Sequence, residues 1–327
     1  MALDSASALT IEGSVELARI ERSGLVESRH IGAAAVVDAD GTVLRAVGDI
    51  DATIYPRSTL KPLQGVAMLR AGGQFTDVEL VLAVSSHCGS PEHVAVVERM
   101  LAHDGRNENS LQCPPLWPLG SEHRAALQAV GLGPSRLTNN CSGKHAGLLR
   151  ASDALGADAQ RYLEAEHPVQ ALIRDVVAEF TARPLPHLAV DGCGAPMAAT
   201  SLAGLARGIA RLARGDDNDA RRVMQAVLAE PWAIDGTGRA NTVVIERLGA
   251  LAKLGTEGLV VMGTPEGVAV AVKVLDGSMR ATTPVALALL ASVDAIDDAV
   301  ARELVDETSQ RVRAGGREIG RLLVSIP

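Results

Sequence analysis

The segment Arg57-Ser58-Thr59-Leu60-Lys61-Pro62-Leu63-Gln64 contains a Ser-x-x-Lys unit at the start of an apolar-periodic stretch. Apolar residues recur there at roughly helical spacing, which predicts one helix over residues 58–71. Residues three apart lie on the same face of a helix, so the side chains of Ser58 and Lys61 are expected to meet.

Such a pair has a chemical use. A buried lysine can take the proton of a serine hydroxyl and make it a nucleophile. The N–H groups and the positive dipole end at the helix start would stabilise an oxyanion near Ser58. The alternative is a helix-capping Ser58 and a solvated Lys61, since this short motif also arises by chance in a long chain.

The composition predicts a globular protein. The 327 residues are 47% apolar and 21% charged, and they suffice for a large core. A net charge of −8 argues against a basic face for nucleic acid, and 2% aromatic residues argue against base stacking. No segment has about 18 uninterrupted apolar residues, so no membrane helix is predicted.

The terminus and the cysteines predict a cytoplasmic protein. The segment Met1–Ala6 has no basic start followed by an apolar run, so we expect no signal peptide. The four cysteines, Cys88, Cys113, Cys141 and Cys193, are scattered, which favours reduced thiols over a disulfide framework.

Strand-like patterns at both ends of the chain flank a mostly helical middle, in which one helix is predicted near residues 242–253. The simplest packing is an α+β fold. Its antiparallel sheet would come from about residues 13–50 and 258–327, and a helical lobe of about 57–255 would be inserted between them. We interpret residues 1–327 as a single domain, with the Ser58 helix in a crevice between sheet and lobe.

Four further clusters contain polar or reactive residues: Ser85-Ser86-His87-Cys88, Asn139-Asn140-Cys141-Ser142-Gly143-Lys144-His145, Asp191-Gly192-Cys193-Gly194 and Lys273-Val274-Leu275-Asp276-Gly277. The first is either a loop facing a cleft or a helix-capping loop. Lys273 is either the solvent-facing residue of a strand or a second cation in the cleft, which would help to keep Lys61 neutral.

The cysteines of the middle clusters suggest a metal site. Cys141 and Cys193, with Lys144 or His145 about one helical turn from the first, could bind zinc. The sequence has no Cys-x-x-Cys and no His-x-x-x-His, so two small buried thiols are the alternative.

Taken in chain order, the Ser-x-x-Lys segment and the four clusters resemble the asparaginase II family, the rhizobial-type (class 3) L-asparaginases. The resemblance runs from about residue 10 to the C-terminus. It implies a serine β-lactamase/glutaminase-like fold, a homodimer, and hydrolysis of L-asparagine to L-aspartate and ammonia.

The resemblance also implies roles for individual residues. Two serine–lysine pairs are expected, Ser58 with Lys61 and Ser86 with Lys273. A zinc ion next to the substrate would be held by Cys141, Lys144 and Cys193. The candidates for contacts with the substrate are Arg57, His87, Asn140 and Asp191.

Three alternatives remain open. A penicillin-recognising hydrolase or peptidase has a similar order of parts, but Lys-Thr-Gly and Ser-x-Asn are missing here. A zinc-dependent amidohydrolase would use metal-bound water. A protein that only binds amino acids would need no serine–lysine pairs.

Overall fold

The computed structural model describes residues 7–326. The expectation about a signal peptide concerns Met1–Ala6, which lie outside the described residues. The strands are β1 (Val15–Arg22), β2 (Leu25–Asp38), β3 (Val43–Val47), β4 (Thr53–Ile54), β5 (Leu188–Val190), β6 (Pro196–Ala198), β7 (Thr200–Ser201), β8 (Leu251–Gly255), β9 (Leu259–Gly263), β10 (Val268–Val274), β11 (Val312–Ala314) and β12 (Arg317–Val324). The helices are α1 (Lys61–Arg70), α2 (Asp77–Val84), α3 (Pro91–His103), α4 (Ser121–Ala129), α5 (Ser142–Ala154), α6 (Pro168–Thr181), α7 (Leu202–Arg214), α8 (Asn218–Ala229), α9 (Ala240–Leu248), α10 (Thr282–Ala291) and α11 (Asp298–Thr308).

One antiparallel sheet combines the two ends of the chain. Its order is β11-β12-β1-β2-β10-β9-β8, and β3 pairs with the second half of β2. The strands β4 with β7 and β5 with β6 form two small separate pairs. The predicted α+β class, with a sheet from both chain ends and helices inserted between, is confirmed. The second part of the sheet begins at Leu251, earlier than the predicted residue 258.

The middle of the sheet is covered on both faces. Residues Ala33–Val37 of β2 are all buried, and successive strand residues point to opposite faces. Helix α7 packs on β2 and β10, and α10 packs on β9 and β10. Among residues 7–326, no helix combines the length and the apolar character needed to cross a membrane.

The Ser-x-x-Lys segment folds as two short pieces. Residues Arg57–Leu60 form a 3₁₀ turn, and Lys61 begins α1. Residues 61–68 of α1 are all buried, because α2, α5, α6 and α8 surround the helix. A helix that is buried on every side belongs to the core of the lobe.

The 3₁₀ turn lies against the free edge of the sheet. Strand β8 is the last strand of the sheet and contacts this turn. A Cβ atom at Gly255 of β8 would lie 2.9 Å from the Thr59 side chain, so glycine permits the close approach. The predicted position of the Ser58 segment, between sheet and lobe, is therefore observed.

The helix predicted near residues 242–253 is wrong at its C-terminal end. Helix α9 ends at Leu248, because Gly249 follows with a left-handed φ of +61°. The chain then turns into β8, so Lys253 lies on a strand.

Candidate active site

The hydroxyl of Ser86 lies between two lysine amines. Its Oγ is 3.1 Å from Lys61 Nζ and 2.8 Å from Lys253 Nζ. Lys61 is 1% exposed and Lys253 is fully buried, whereas Ser86 is partly exposed. The arrangement provides a serine with two possible proton partners.

Backbone hydrogen bonds fix the loop that carries Ser86 after α2. The Ser86 N–H donates to the Ile234 carbonyl over 3.1 Å, and the Cys88 N–H donates to the Asp235 carbonyl over 2.7 Å. The His87 N–H between them donates to the Asn140 carbonyl. The loop is thus held from both sides, which keeps Ser86 in place between the lysines.

Lys253 is the residue that the sequence analysis missed. Burial and, as a smaller cause, the nearby charge of Lys61 together lower its pKa to about 7. A lysine with a pKa near neutrality is partly unprotonated at pH 7 and can act as a general base.

Lys273 does not pair with Ser86, contrary to the expectation from the resemblance. Its amine donates to the backbone carbonyls of Glu257 and Val274. Lys273 lies on β10, which β9 separates from β8, so the backbones of the two lysine-bearing strands are about 10 Å apart. Lys253, and not Lys273, is therefore the strand lysine that contacts Ser86.

Ser58 has a hydroxyl that is free for a ligand. Ser58 is 7% exposed, and neither its Oγ nor its N–H makes a hydrogen bond with the rest of residues 7–326. Within residues 7–326, Ser58 and Lys61 do not form the expected hydrogen bond. The Lys61 amine donates instead to the Ser85 carbonyl, the Ser86 hydroxyl and the Cys141 sulfur. The residue before Ser58, Arg57, has a left-handed φ of +52°, a strained conformation that is concentrated at functional sites.

Two cysteines and a lysine form a compact cluster beside Lys61. Cys141 precedes α5, Lys144 is in its first turn, and Cys193 lies in the loop between β5 and β6. Lys144 Nζ lies 3.0 Å from Cys193 Sγ. A hydrogen bond from Cys141 and the charge of Lys144 lower the pKa of Cys193, and the same hydrogen bond and burial raise that of Cys141.

The donor chemistry of this cluster fits zinc. Two soft sulfur ligands and a nitrogen are brought together, which is a set that Zn²⁺ accepts. Within the described part of the chain, no group of three or more His, Cys, Asp and Glu side chains is placed to hold a metal, so a third donor beside the two cysteines would have to be another kind of side chain, such as the Lys144 amine. Lys144 contacts Cys193 directly, whereas His145 bonds to the Tyr162 hydroxyl through Nδ1 at 2.7 Å and leaves its Nε2 without a partner among residues 7–326.

Arg57 and Asp191 form an ion pair at the rim of the same cluster. Arg57 Nε donates to Asp191 Oδ1 over 2.7 Å, and the Gly192 N–H donates to the same oxygen. Burial alone would raise the pKa of Asp191, but Lys144, the Gly192 N–H and Arg57 together hold it below its usual value. A cation and an anion are therefore adjacent beside the cysteine–lysine cluster.

The other two predicted substrate contacts differ in their surroundings. Asn140 is half-buried, and its side-chain amide has no hydrogen-bond partner among residues 7–326, so it is available to a ligand. His87 is fully buried, accepts from the Gly89 N–H at Nδ1 and, through Nε2, bonds to Ser142 Oγ at 2.9 Å. Since both its nitrogens are occupied, His87 holds two loops together behind the site.

All four cysteines are free and buried, in agreement with the prediction of reduced thiols. Cys88 and Cys113 take no part in the contacts of Ser86 or Cys193. Burial raises the pKa of both thiols, to about 12 for Cys113, so neither is a ready nucleophile.

Comparisons with known proteins give a family for this chain. Among solved structures, it is similar to the protein Mglu in its glutamate form, with 16% identity and a TM-score of 0.45 over 80% of this chain and 60% of that chain. It therefore spans less than two thirds of that protein. It is also similar to a β-lactamase from Mycobacterium bovis, with 15% identity and a TM-score of 0.37 over 85% of this chain and 95% of that one. No curated protein sequence matches the chain.

The sequence profile of one family, described as L-asparaginase II, matches residues 18–324. The matched range includes both serines, both lysines that contact Ser86, and the cysteine–lysine cluster. Because the match covers nearly the whole sequence, the chain belongs to the L-asparaginase II family of amidohydrolases.

Proposed function

We propose that this protein hydrolyses the side-chain amide of L-asparagine to L-aspartate and ammonia, through an ester on Ser58. The observation that carries the proposal is the contact of the Ser86 hydroxyl with two buried lysine amines, one with a pKa of about 7. Serine–lysine groups of this kind move protons in acyl transfer. Membership in an amidohydrolase family supports an amide as the substrate.

The two serines differ in what their hydroxyls already contact. A hydroxyl has two acceptor lone pairs and one donor hydrogen. When both lysine amines donate to Ser86, both lone pairs are used and the hydroxyl becomes a proton donor. Ser58 keeps its lone pairs free and has an unpaired backbone N–H, which suits a nucleophile next to an oxyanion site.

These roles give a balanced reaction. Lys61 first passes a proton through the Ser86 hydroxyl to the neutral Lys253 amine. Ser58 Oγ then attacks the side-chain amide carbon, and its proton passes to the Lys61 amine. Ser86 gives its proton to the departing nitrogen, which leaves as ammonia, and Lys253 returns a proton to Ser86. Water then attacks the aspartyl ester and loses a proton to Lys253, and L-aspartate leaves as Ser58 regains its hydrogen from Lys253.

The charges of Arg57 and Asp191 fit a free amino acid. Arg57 offers a guanidinium to the α-carboxylate, and Asp191 offers a carboxylate to the α-ammonium group. The unpaired amide of Asn140 is a further polar contact. The zwitterion of asparagine would thus be oriented with its side chain toward the serines.

A zinc ion would be held by Cys141, Cys193 and Lys144, and we propose it as an accessory group. Bound there, the ion would supply a positive charge that polarises a nearby carbonyl oxygen. Its ligands must lose their protons, so binding would depend on pH. A homodimer and a cytoplasmic location stay predictions from the sequence.

The first experiment measures ammonia release from L-asparagine, with L-glutamine in parallel. We expect Ser58→Ala to lower kcat by about 10³-fold or more, because the nucleophile is lost. Ser86→Ala should lower kcat by about 10²-fold, as expected for a group that relays protons. Ser121→Ala, at the exposed start of α4, is the matched control and should leave kcat unchanged.

Rapid quenching followed by peptide mass spectrometry locates the ester. An aspartyl group on the peptide that contains Ser58 supports the assignment, and one on Ser86 overturns it. Near-wild-type turnover by Ser58→Ala, with all activity lost to a chelator, would move the chemistry to the metal cluster. A preference for glutamine would change the substrate but not the serine–lysine mechanism.

A further inference from the structure

We propose that Asn241 is a positioning residue, which holds Lys253 in place for the reaction through the backbone of Leu254. The proposal rests on the proposed function, because it gives Lys253 a part in proton transfer. Asn241 lies in the first turn of α9 and is 3% exposed. It does not touch the serines, so its effect has to pass through another group.

Leu254 is the residue through which Asn241 would act. It pairs with Val260 in β9, and its N–H and C=O point to the free side of β8, since both groups of one residue face the same way in an antiparallel ladder. The Leu254 N–H donates to Asn241 Oδ1 over 3.0 Å, and the Leu254 carbonyl accepts from Lys253 Nζ over 2.8 Å. The N–H and the C=O of Leu254, which both point away from β9, thus each have a hydrogen-bond partner.

At the sheet edge, the Asn241 side chain supplies the hydrogen-bond acceptor that a neighbouring strand would otherwise provide. A strand edge presents unpaired N–H groups, and inside the protein such a group must be satisfied. By accepting from the Leu254 N–H, the asparagine fixes the plane of the backbone beside it. The Leu254 carbonyl is then held where the Lys253 amine can use it.

Two acceptors determine where the Lys253 amine sits, Ser86 Oγ and the Leu254 carbonyl. Only the second depends on the position of the β8 backbone. When the Asn241 oxygen is removed, the end of β8 loses its outer anchor and the amine loses a fixed contact. A displacement of about 1 Å at a catalytic group can cost up to 10²-fold in rate.

The charged and titratable groups that act on Lys253 are Lys61, Asp235, Cys141 and Asp191. None of them bonds to Asn241, so replacing Asn241 by an apolar residue leaves these charges in place. A Lys253 amine that moves away from its two acceptors and toward water would regain part of its ordinary basicity. The pH at which activity rises would then move upward.

The test compares Asn241→Leu, which has no acceptor, with Asn241→Asp, which keeps one. Glu246→Gln, at an exposed position of α9, is the control. We expect Asn241→Leu to lower kcat for asparagine about tenfold with little change in KM, and to move the rising limb of the pH–kcat profile up by about one unit. The Asn241→Asp variant gains a negative charge, which itself favours the protonated form of Lys253. At pH about 9.5, the kcat of this variant should nevertheless be within about threefold of the wild-type value.

Hydrogen–deuterium exchange of the backbone amides in residues 251–255 gives a second readout that needs no substrate. Exchange should be faster in Asn241→Leu and unchanged in Asn241→Asp and in the control. Unchanged exchange or an unchanged pH profile in Asn241→Leu overturns the proposal, and so does an equal loss of plateau kcat in both variants. If the wild type releases no ammonia from asparagine, the proposed function fails, while the exchange result still decides whether Asn241 anchors β8.

Discussion

Lys144 and Lys253 are both almost completely buried, yet their surroundings shift their pKa values in opposite directions. Burial alone would lower both. Near Lys144, the sulfurs of Cys193 and Cys141 outweigh burial and raise its pKa. Near Lys253, burial is reinforced by the charge of Lys61, and the pKa falls to about 7.

The difference shows that burial does not by itself make a lysine a base. Lys144 lies 3.0 Å from Cys193 Sγ, so its proton is stabilised by an anion. Lys253 contacts a neutral hydroxyl and a carbonyl, which stabilise an ammonium group less than a thiolate does. We therefore expect Lys144 to hold its proton, or a metal in its place, and Lys253 to exchange its proton during turnover.

The largest expected effect separates the two lysines by activity. Lys253→Met should lower kcat by about 10³-fold, within the range of general acid–base catalysis. Lys144→Met should cost less, because it removes a partner of Cys193 and not a contact of Ser86. The measurement is kcat for ammonia release at pH 8, where much of Lys253 is unprotonated in the wild type.

In stability, the same two variants should rank the other way, with Lys253→Met more stable than Lys144→Met. Lys253→Met should raise the free energy of unfolding by on the order of 4 kcal/mol at pH 7, since lowering a lysine pKa from about 10.4 to about 7 costs about 1.4 kcal/mol per unit. Between the folded pKa near 7 and the unfolded value near 10.4, the unfolded wild type binds more protons, so wild-type stability rises with pH and the gain of the variant shrinks.

Lys144→Met should lower the free energy of unfolding in the same experiment. Its folded pKa is raised, so the stabilisation is present below the unfolded pKa and is lost only as pH rises through the folded value. Urea unfolding of both variants, with chelator in every sample, measures the two differences. Destabilisation by Lys253→Met, or stabilisation by Lys144→Met, would contradict the comparison.

The sequence was sufficient for groups that lie close together along the chain. Cys141 and Lys144 share the start of one helix, so their neighbourhood followed from helical spacing. Ser58 and Lys61 also share a short segment, but Ser58 lies in a 3₁₀ turn before α1 and the Lys61 amine donates to other groups. The sheet from both ends followed from the alternating patterns. The pattern also named Cys193 as a candidate zinc ligand, but a set made of Cys141, Lys144 and Cys193 was implied only by the family resemblance, because Cys193 is 49 residues from Lys144.

The prediction from the sequence was wrong where a single glycine ends a helix. Apolar residues continue through Gly249, and the pattern was extended as a helix to Lys253. A glycine near the end of an apolar-periodic stretch is a stop signal, and its use here would have placed Lys253 on a strand. Even then, the pairing with Ser86 is a contact across 167 residues, which local patterns do not specify.

The smallest expected effect tests the replacement of Lys273 by Lys253. Register places the two lysines on the same face of the sheet, since Lys253 pairs with Val261 and Lys273 with Leu259. Lys273→Met should change kcat less than about threefold, because its amine contacts backbone carbonyls and not Ser86. Lys273→Arg, which keeps the charge, is the control. A loss as large as that of Lys253→Met, not restored by arginine, would give Lys273 the catalytic part that the resemblance first implied.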